Sequence, residues 1–506
     1  MANDPTVANQ HEHADQATAT IPFDNSYARL PEPFYIRWQP AEPSKPRLLH
    51  FNEPLGAALG LDGLGFDERE AVFSGATVPA NAEPLAMAYA GHQFGNFVPA
   101  LGDGRALLLG EIIDRHGVRR DIQLKGAGQT PFSRHADGLC PLGPAIREYL
   151  VSEGLSALGV PSSRALALAL TGQTVMRETV SPGAIITRVA TGHVRVGTFQ
   201  YFAARDDLDS VRALADYVIE RHYPEQADAQ APYLGLLRGL VRRQAELVAQ
   251  WMNLGFIHGV MNTDNMTLAG ETLDFGPCAF MDAYHPETVY SFVDQGGRYA
   301  YGNQPTMAQW NVTRFAEAIL PLLASDESAA VEIAQPVIDE FADYYQQARR
   351  AGMAAKLGLR EVAESNDGLI DGILDALTNQ AVDYTRFFRR LSNIAADPRD
   401  DASVRELFSD PEAWDAWRAS WQQALAAEGG DPDERVRRMK AVNPAVIPRN
   451  HSVERAIQAA ERDGDMAPFH ELLANLSDPY ADQPEDREGA RPPAANERVV
   501  RTFCGT

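Results

Sequence analysis

The sequence predicts an α+β fold in two parts, a β-rich N-terminal lobe followed by a mainly helical C-terminal lobe. Short apolar segments bounded by Gly and Pro are concentrated between residues 105 and 190, which indicates strands. From about residue 208 onward, apolar residues recur at helical spacing over long segments. No internal repeat or clear linker interrupts this order, and 506 residues are enough for one large two-lobed unit.

The predicted N-terminal lobe covers residues 23–204, after a polar segment over residues 1–22 that we expect to be a disordered tail. A helix is predicted from Pro144 to Leu158, because Pro suits a first helical turn and the following Gly-Val-Pro ends the helix. A Ser-Pro-Gly turn is predicted to join the last two strands of this lobe. The predicted strands are Arg105–Ile113, Asp121–Leu124, Ala165–Leu170, Thr174–Thr179 and Ala184–Ala190.

The predicted C-terminal lobe covers residues 205–475. Residues 476–506 are rich in Pro, Asp, Glu and Arg, and we expect them to form a loose tail. A compact loop and a short hairpin are predicted from Phe256 to Gly276, directly after a helix that Gly255 ends. The predicted helices are Leu208–Tyr223, Tyr233–Asn253, roughly residues 308–426 and roughly residues 452–474.

The net charge of the chain is −24, from 45 basic and 69 acidic residues. A surface this acidic does not favour a broad contact with a phosphate backbone, so we expect no nucleic-acid partner. Any anion that the protein binds must therefore sit in a local basic pocket.

The cysteine content indicates a reducing compartment, and the lack of a signal peptide or long apolar run favours the cytoplasm. The three cysteines, Cys140, Cys278 and Cys504, form no CxxC motif, which disfavours a structural zinc site or a disulfide scaffold. No signal peptide and no run of about 18 apolar residues is recognisable, so we expect a cytoplasmic protein with no membrane contact.

The strongest signal for chemistry is the segment HGVMNTDN at residues 258–265, followed by DFG at residues 274–276. Kinase-like enzymes hold the cation on ATP with an Asn that ends a catalytic loop and with the Asp of a DFG turn. Asn265 and Asp274 take those positions here, and the hairpin predicted between them returns the chain beside its start. Because Mg²⁺ prefers such oxygen ligands, the spacing predicts a metal and nucleotide site.

A second signal runs through the predicted N-terminal lobe. Gly102 and Gly104, followed by Arg105, form a turn that enters a strand and lets backbone amides approach phosphates. Lys125 ends the next strand, in a chain with only four lysines. Glu148, on the following predicted helix, can pair with Lys125 and fix its ammonium group against phosphate oxygens.

Two arginines, Arg188 and Arg195, add positive charge on either side of a predicted turn. Guanidinium groups near a nucleotide pocket can clamp phosphates through paired hydrogen bonds. Solvated arginines are the alternative interpretation, and the pattern alone leaves both open.

The order of the lobes and motifs is the outline of a protein kinase, with one departure. Kinases of the aminoglycoside type place a base Asp two residues after the loop His, where this chain has Val260, which cannot accept a proton. The nearest carboxylate is that of Asp264. Either Asp264 takes over as the base, or the chain does different chemistry with the same nucleotide.

These motifs together resemble the SelO family of protein adenylyltransferases, also called YdiU. The resemblance spans about residues 86–456, most of the folded chain. The matching stretches are GHQFGNFVPALGDGRALLLGE, DIQLKGAGQTPFSRHADG, IREYLVSEGLSALGVPSSRALAL, RVATGHVRVGTFQYF, GFIHGVMNTDNMTLAGETLDFGP and NPAVIPRNHSVERAI.

The resemblance implies a kinase-like fold that binds ATP in a flipped orientation and moves AMP onto Ser, Thr or Tyr hydroxyls of proteins, with release of pyrophosphate. It implies that Asp264 is the proton acceptor and that Asn265 and Asp274 ligate Mg²⁺ or Mn²⁺. It also implies that Glu148 pairs with Lys125. The residues that it assigns to the nucleotide are Gly102, Gly104, Arg105, Lys125, Asp137, Gly138, Arg188 and Arg195, and the Asp137-Gly138 assignment rests on the resemblance alone.

Three functions stay open on the sequence: nucleotidyl transfer to proteins, with ATP or UTP as donor; phosphoryl transfer by a kinase-like enzyme; and a nucleotide-binding scaffold without activity. Val260 counts against the kinase, and the complete set of cation and metal-binding positions counts against the scaffold. Cys504 stands where many family members carry cysteine or selenocysteine, so a regulatory disulfide is a further hypothesis. We expect a monomer that binds ATP and protein substrates.

Overall fold

A computed structural model describes residues 21–361, 363–397, 399 and 401–503. Within these residues the chain mixes helices with an antiparallel sheet, which confirms the predicted α+β class. The strands are β1 (Tyr35–Arg37), β2 (Arg47–Phe51), β3 (Leu85–Met87), β4 (Gly91–Gln93), β5 (Asn96–Val98), β6 (Ala106–Ile113), β7 (Arg119–Lys125), β8 (Cys140–Pro141), β9 (Arg164–Met176), β10 (Val180–Ala190), β11 (Phe256–Ile257) and β12 (Ala279–Phe280).

One large sheet carries most of these strands, in the order β1-β3-β6-β7-β10-β9-β2, with β8 paired to β10. Strands β6 and β7 confirm two sequence predictions. Lys125 lies in the middle of this sheet, opposite Ala106 of β6 on one side and Ile186 of β10 on the other. Both neighbouring strands therefore fix the position of the Lys125 backbone.

The hairpin β9–β10 differs from the prediction. The chain turns at residues 177–179, whereas the predicted Ser-Pro-Gly turn lies inside β10. The register shifts between Pro182 and Ala184, which marks an irregularity in the ladder. Proline, which cannot donate to the ladder, is tolerated at such irregularities, so Pro182 does not end the strand.

The helices are α1 (Glu53–Ala58), α2 (Phe66–Phe73), α3 (Leu142–Ala157), α4 (Val196–Ala203), α5 (Leu208–His222), α6 (Pro232–Leu254), α7 (Gln304–Leu323), α8 (Glu327–Lys356), α9 (Asp367–Gln380), α10 (Tyr384–Ile394), α11 (Ala402–Arg405), α12 (Pro411–Glu428), α13 (Pro432–Lys440), α14 (Asn450–Asp463) and α15 (Ala467–Leu476). Helix α3 packs on β9 and β10 with almost all of its side chains buried. It confirms the helix predicted from Pro144.

Helices α6, α7 and α8 pack together and form the centre of the helical part. The sequence sets both ends of α6, because Pro232 occupies its first turn and Gly255 ends it with a left-handed φ of 75°. Its apolar side chains, such as Leu240 and Val248, are fully buried. The stretch predicted as helical over residues 308–426 is confirmed, although turns divide it into separate helices, and α13 was not predicted.

Both ends of the described chain pack against the core. Ile21, which the predicted tail included, is fully buried, whereas residues 1–20 lie outside the described residues. Residues 477–503 contain no helix or strand longer than a single bridge, but they are not the loose tail that their composition indicates. Arg449, which is fully buried, donates to the Ala490 carbonyl, and Arg491 pairs with Glu497.

No helix in the described part of the chain is both long enough and apolar enough to cross a membrane.

Candidate active site

A cavity of about 690 Å³ lies between the large sheet and the loop that follows α6. Its volume is within the range of about 300–1,000 Å³ that small-molecule sites occupy. Nearly all the residues that the sequence singled out line this one cavity. They are Gly102, Gly104, Arg105, Lys125, Asp137, Gly138, Arg188, Arg195, Asp264, Asn265 and Asp274.

The predicted pair of Lys125 and Glu148 is formed, with 2.5 Å between Nζ and the carboxylate. Glu148 lies on α3, behind the cavity wall, and its side chain is only 2 % exposed. Burial raises the pKa of Glu148, but the charges of Arg188 and Lys125 outweigh burial and hold the pKa below its usual range. Glu148 therefore stays ionised and fixes both cations.

Asp274 receives three cations in the cavity. The Arg188 guanidinium donates to Oδ1, Arg195 lies 3.5 Å from Oδ2, and Lys125 lies 3.8 Å from Oδ1. Burial raises the pKa of Asp274, but these charges outweigh burial and hold the pKa far below its usual range. The residue also has a left-handed φ of 67°, which is strained for Asp and is typical of functional sites.

Asp264 is the carboxylate in the cavity without a cationic partner. Its Oδ2 accepts from Gln93 Nε2 at 3.3 Å, and its buried Oδ1 has no hydrogen-bond partner within the described residues. Burial raises the pKa of Asp264 to about 6. Such a group is ionised at neutral pH and is a stronger proton acceptor than an exposed Asp.

Hydrogen bonds to backbone carbonyls fix the loop from His258 to Asn265. His258 donates from Nε2 to the Leu273 carbonyl at 2.9 Å, and Asn265 donates from Nδ2 to the Val260 carbonyl at 2.9 Å. The bridge between Met266 and Thr272 confirms the hairpin predicted between the two halves of the motif. The hairpin brings Asn265 and Asp274 to the same cavity, as its short length requires.

The glycines of the cavity are needed for close packing. A Cβ on Gly102, which has a left-handed φ of 68°, would lie 2.2 Å from the Phe132 ring. A Cβ on Gly138 would lie 2.2 Å from the backbone of Gly128. Asp137 accepts two hydrogen bonds of 2.8 Å from Arg177. Gly138 therefore packs directly on Gly128, and Asp137 connects this loop to the turn between β9 and β10.

Sequence reasoning missed the residues that support the predicted ones. Asp103, which is buried inside the glycine turn, accepts from Gln123 Nε2 at 3.2 Å and from Arg195 at 3.3 Å. Gly91, in β4, packs so closely on Asp264 that a Cβ there would lie 2.5 Å from Oδ1. The sequence signal for Gly91 was the Gly-His-Gln-Phe-Gly segment at residues 91–95, because glycines around a short strand mark a close approach of the backbone to another group.

No group of three or more His, Cys, Asp or Glu side chains suited to a metal ion is present among the residues that the structure describes. Cys504, the residue of the disulfide hypothesis, lies outside those residues. Cys278, four residues after Asp274, is buried.

A family model described as "Protein adenylyltransferase SelO" matches residues 17–477. The chain belongs to this family. Membership in the SelO family makes the chain a nucleotidyltransferase and confirms the resemblance drawn from the motifs.

Curated relatives in the family match the chain over almost its full length. "Protein nucleotidyltransferase YdiU" of Rhodopseudomonas palustris (strain BisB5) is 56 % identical over 491 residues, which cover 97 % of this chain and 100 % of the relative. The proteins of the same name from Bradyrhizobium diazoefficiens and Bradyrhizobium sp. (strain ORS 278) are 54 % and 53 % identical, and the coverage is the same.

Proposed function

We propose that this SelO-family chain transfers AMP from ATP to Ser, Thr or Tyr hydroxyls of proteins and releases pyrophosphate. One observation carries the proposal. The cavity combines a cluster of cations with a buried, unpaired carboxylate oxygen on Asp264, while Val260 occupies the position of a kinase base. The family match supports the same reaction class.

The reaction forms a bond between the acceptor oxygen and the α-phosphorus of ATP and breaks the bond from that phosphorus to pyrophosphate. The proton of the hydroxyl passes to Asp264, whose raised pKa suits it to accept a proton near neutral pH. Negative charge grows on the pyrophosphate, where Lys125 and Arg188 can neutralise it. Because Glu148 fixes both cations before the nucleotide arrives, little reorganisation is needed during the reaction.

The residues of the cavity also fit a divalent cation. Asn265 and Asp274 both line the cavity and offer hard oxygen atoms of the kind that divalent cations prefer. We propose that Asn265 and Asp274 hold Mg²⁺ or Mn²⁺ and that phosphate oxygens supply further ligands. The ion would neutralise charge on the phosphates and align the α-phosphorus with the acceptor.

We further propose that the β-rich and helical parts are the two lobes of a kinase-like fold. The support is the order of elements around the cavity: a glycine turn, a strand lysine, a helix glutamate, and then a loop with Asn265 and Asp274. The flipped orientation of ATP that the family resemblance implies is part of the same proposal.

The test uses ATP labelled at the α-phosphate and, in parallel, at the γ-phosphate, with Mg²⁺ or Mn²⁺ and a cell extract. We expect covalent protein label from the α position alone, and none with the Asp274→Ala variant. Label from the γ position alone would instead identify a kinase. Tight ATP binding without any label would identify a scaffold. Labelled UTP in a parallel sample distinguishes UMP transfer from AMP transfer.

A further inference from the structure

A second, larger cavity opens beside the candidate active site. It has a volume of about 1030 Å³ and lies between the start of α3, helix α14, residues 291–293 and residues 496–503. We call it the C-terminal groove. Arg177 and Val293 line both this groove and the candidate active site, so the two cavities adjoin.

Large apolar side chains stand exposed along the groove. Phe292, Val293 and Phe503 are 38 %, 60 % and 46 % exposed, and the two Phe rings pack with centroids 4.9 Å apart. Single exposed apolar residues are normal on proteins, but a contiguous group beside a cavity is typical of a binding surface.

The wall that carries these side chains is ordered by backbone hydrogen bonds. Thr502 donates from its amide to the Tyr290 carbonyl at 2.8 Å, and Phe292 donates to the Thr502 carbonyl at 3.1 Å. The Thr502 hydroxyl also donates to the carbonyl of Pro277, the residue directly after the DFG turn, at 2.5 Å. The groove wall is therefore tied to the segment that carries Asp274.

The groove is lined by six arginines and four glutamates, so it has an excess of positive charge, although the chain as a whole has a net charge of −24. Arg147 is buried at its floor and donates to Asn450 Oδ1 at 2.7 Å, with Glu454 3.5 Å away.

Arg498 and Arg501 are exposed on the wall, and neither forms an ion pair within the described residues. The Arg501 guanidinium lies over the Phe292 ring, 5.5 Å from its centroid. Carboxylates of a partner protein can pair with the guanidinium groups of Arg498 and Arg501. The rest of the surface is mostly acidic and repels such carboxylates.

We propose that the C-terminal groove binds the segment of the substrate protein around its acceptor hydroxyl, and selects segments in which acidic residues accompany large apolar ones. This inference rests on the proposed function, because it gives the occupant a hydroxyl to present to the adjoining cavity. Apolar side chains of the segment pack on Phe292 and Phe503, and its carboxylates pair with Arg498 and Arg501.

The test measures peptide binding without nucleotide, so that it does not depend on transfer. One short fluorescent peptide carries a central Ser with flanking Glu and Leu residues, and a second carries Lys in place of each Glu. We expect the acidic peptide to bind with higher affinity, and the double variant Arg498→Glu, Arg501→Glu to weaken it about tenfold or more and to improve binding of the Lys peptide. The double variant Arg242→Glu, Arg399→Glu is the control, because it makes the same change of net charge at exposed positions outside the groove, and it leaves both affinities unchanged.

Equal affinity for the two peptides, or no effect of the double variant, would overturn the proposal. Binding that appears only after residues 1–20 are removed would also overturn it, because the groove would then be the site of the chain's own N-terminus. Charge-dependent peptide binding without transfer from α-labelled ATP would support the groove and contradict the proposed function. Transfer to proteins without charge-dependent peptide binding would support the proposed function and contradict the role of the groove.

Discussion

At the scale of single residues, the candidate site depends on two carboxylates with opposite environments. Asp274 is surrounded by cations, whereas Asp264 is buried without one, so the pKa of Asp274 is lowered and that of Asp264 is raised. The sequence predicted that both carboxylates belong to the site, because their motifs have fixed spacing. It could not predict the contrast between them, since the cations that lower the pKa of Asp274 come from distant parts of the chain.

The raised pKa of Asp264 predicts a pH dependence of the reaction. Asp264 accepts a proton only when ionised, so we expect the transfer rate to increase about tenfold per pH unit below pH 6 and to level off above it. Initial rates with α-labelled ATP between pH 5 and pH 8 measure this. A flat profile in the wild type, or an unchanged profile in Asp264→Asn, would contradict the assignment of Asp264 as the proton acceptor.

The raised pKa of Asp264 also predicts that this residue lowers the stability of the folded protein at neutral pH. The pKa of Asp264 is raised from the ordinary 3.8 to about 6 on folding, so the free energy of unfolding falls as the pH increases between these values. We expect Asp264→Asn to stabilise the protein by about 3 kcal/mol at pH 7.5, with the gain disappearing near pH 4. Thermal unfolding at the two pH values measures the difference, and equal shifts at both would exclude this explanation.

At the scale of elements, most strands and helices followed from periodicity and from Pro and Gly at their ends. Helix α6 is the clearest case, because its buried face and both of its ends are visible in the sequence. The turn between β9 and β10 was misplaced, since Ser-Pro-Gly is a common turn signal but here forms an irregularity inside a strand. The short strand β4 was not predicted at all, because three residues carry too little periodicity to recognise.

Strand β4 nevertheless predicts a measurable effect on the site. A Cβ on Gly91 would lie 2.5 Å from Oδ1 and 3.0 Å from Cβ of Asp264, so Gly91→Ala must displace that carboxylate. We expect transfer to fall about tenfold or more, because displacement of a positioned catalytic group is costly, while ATP affinity changes little. The control is Gly368→Ala, where an added Cβ meets no atom within 4 Å. Equal activity of the two variants would show that β4 does not position Asp264.

At the scale of the whole molecule, ion pairs connect parts of the chain that composition alone would separate. The predicted tail after residue 476 packs on the core through Arg449, which also pairs with Asp282 at 2.6 Å and Asp383 at 2.8 Å. A segment rich in Pro and charged residues resembles a linker in sequence. Only the fold reveals that one of its backbone carbonyls, that of Ala490, accepts a hydrogen bond from a buried arginine.

The buried contacts of Arg449 predict that its replacement destabilises the folded protein. Arg449→Met leaves Asp282 and Asp383 without their cation in a mostly buried position, so we expect the free energy of unfolding to fall by about 3 kcal/mol or more. Denaturation by urea, followed by tryptophan fluorescence, measures it. Arg405→Met, which removes an exposed pair with Asp415, is the control and should leave the midpoint unchanged. If the two variants unfold alike, Arg449 does not connect these segments.

The hydrogen bond from Thr502 to Pro277 spans 225 positions of the chain. A ribosome therefore completes the DFG segment long before it makes the residues that support the segment from outside. A nascent chain can bury the strands and α6 early, but the wall beside Asp274 forms only after residue 502 has been synthesised. A chain released before residue 502 would therefore lack this outer support for the segment that carries Asp274.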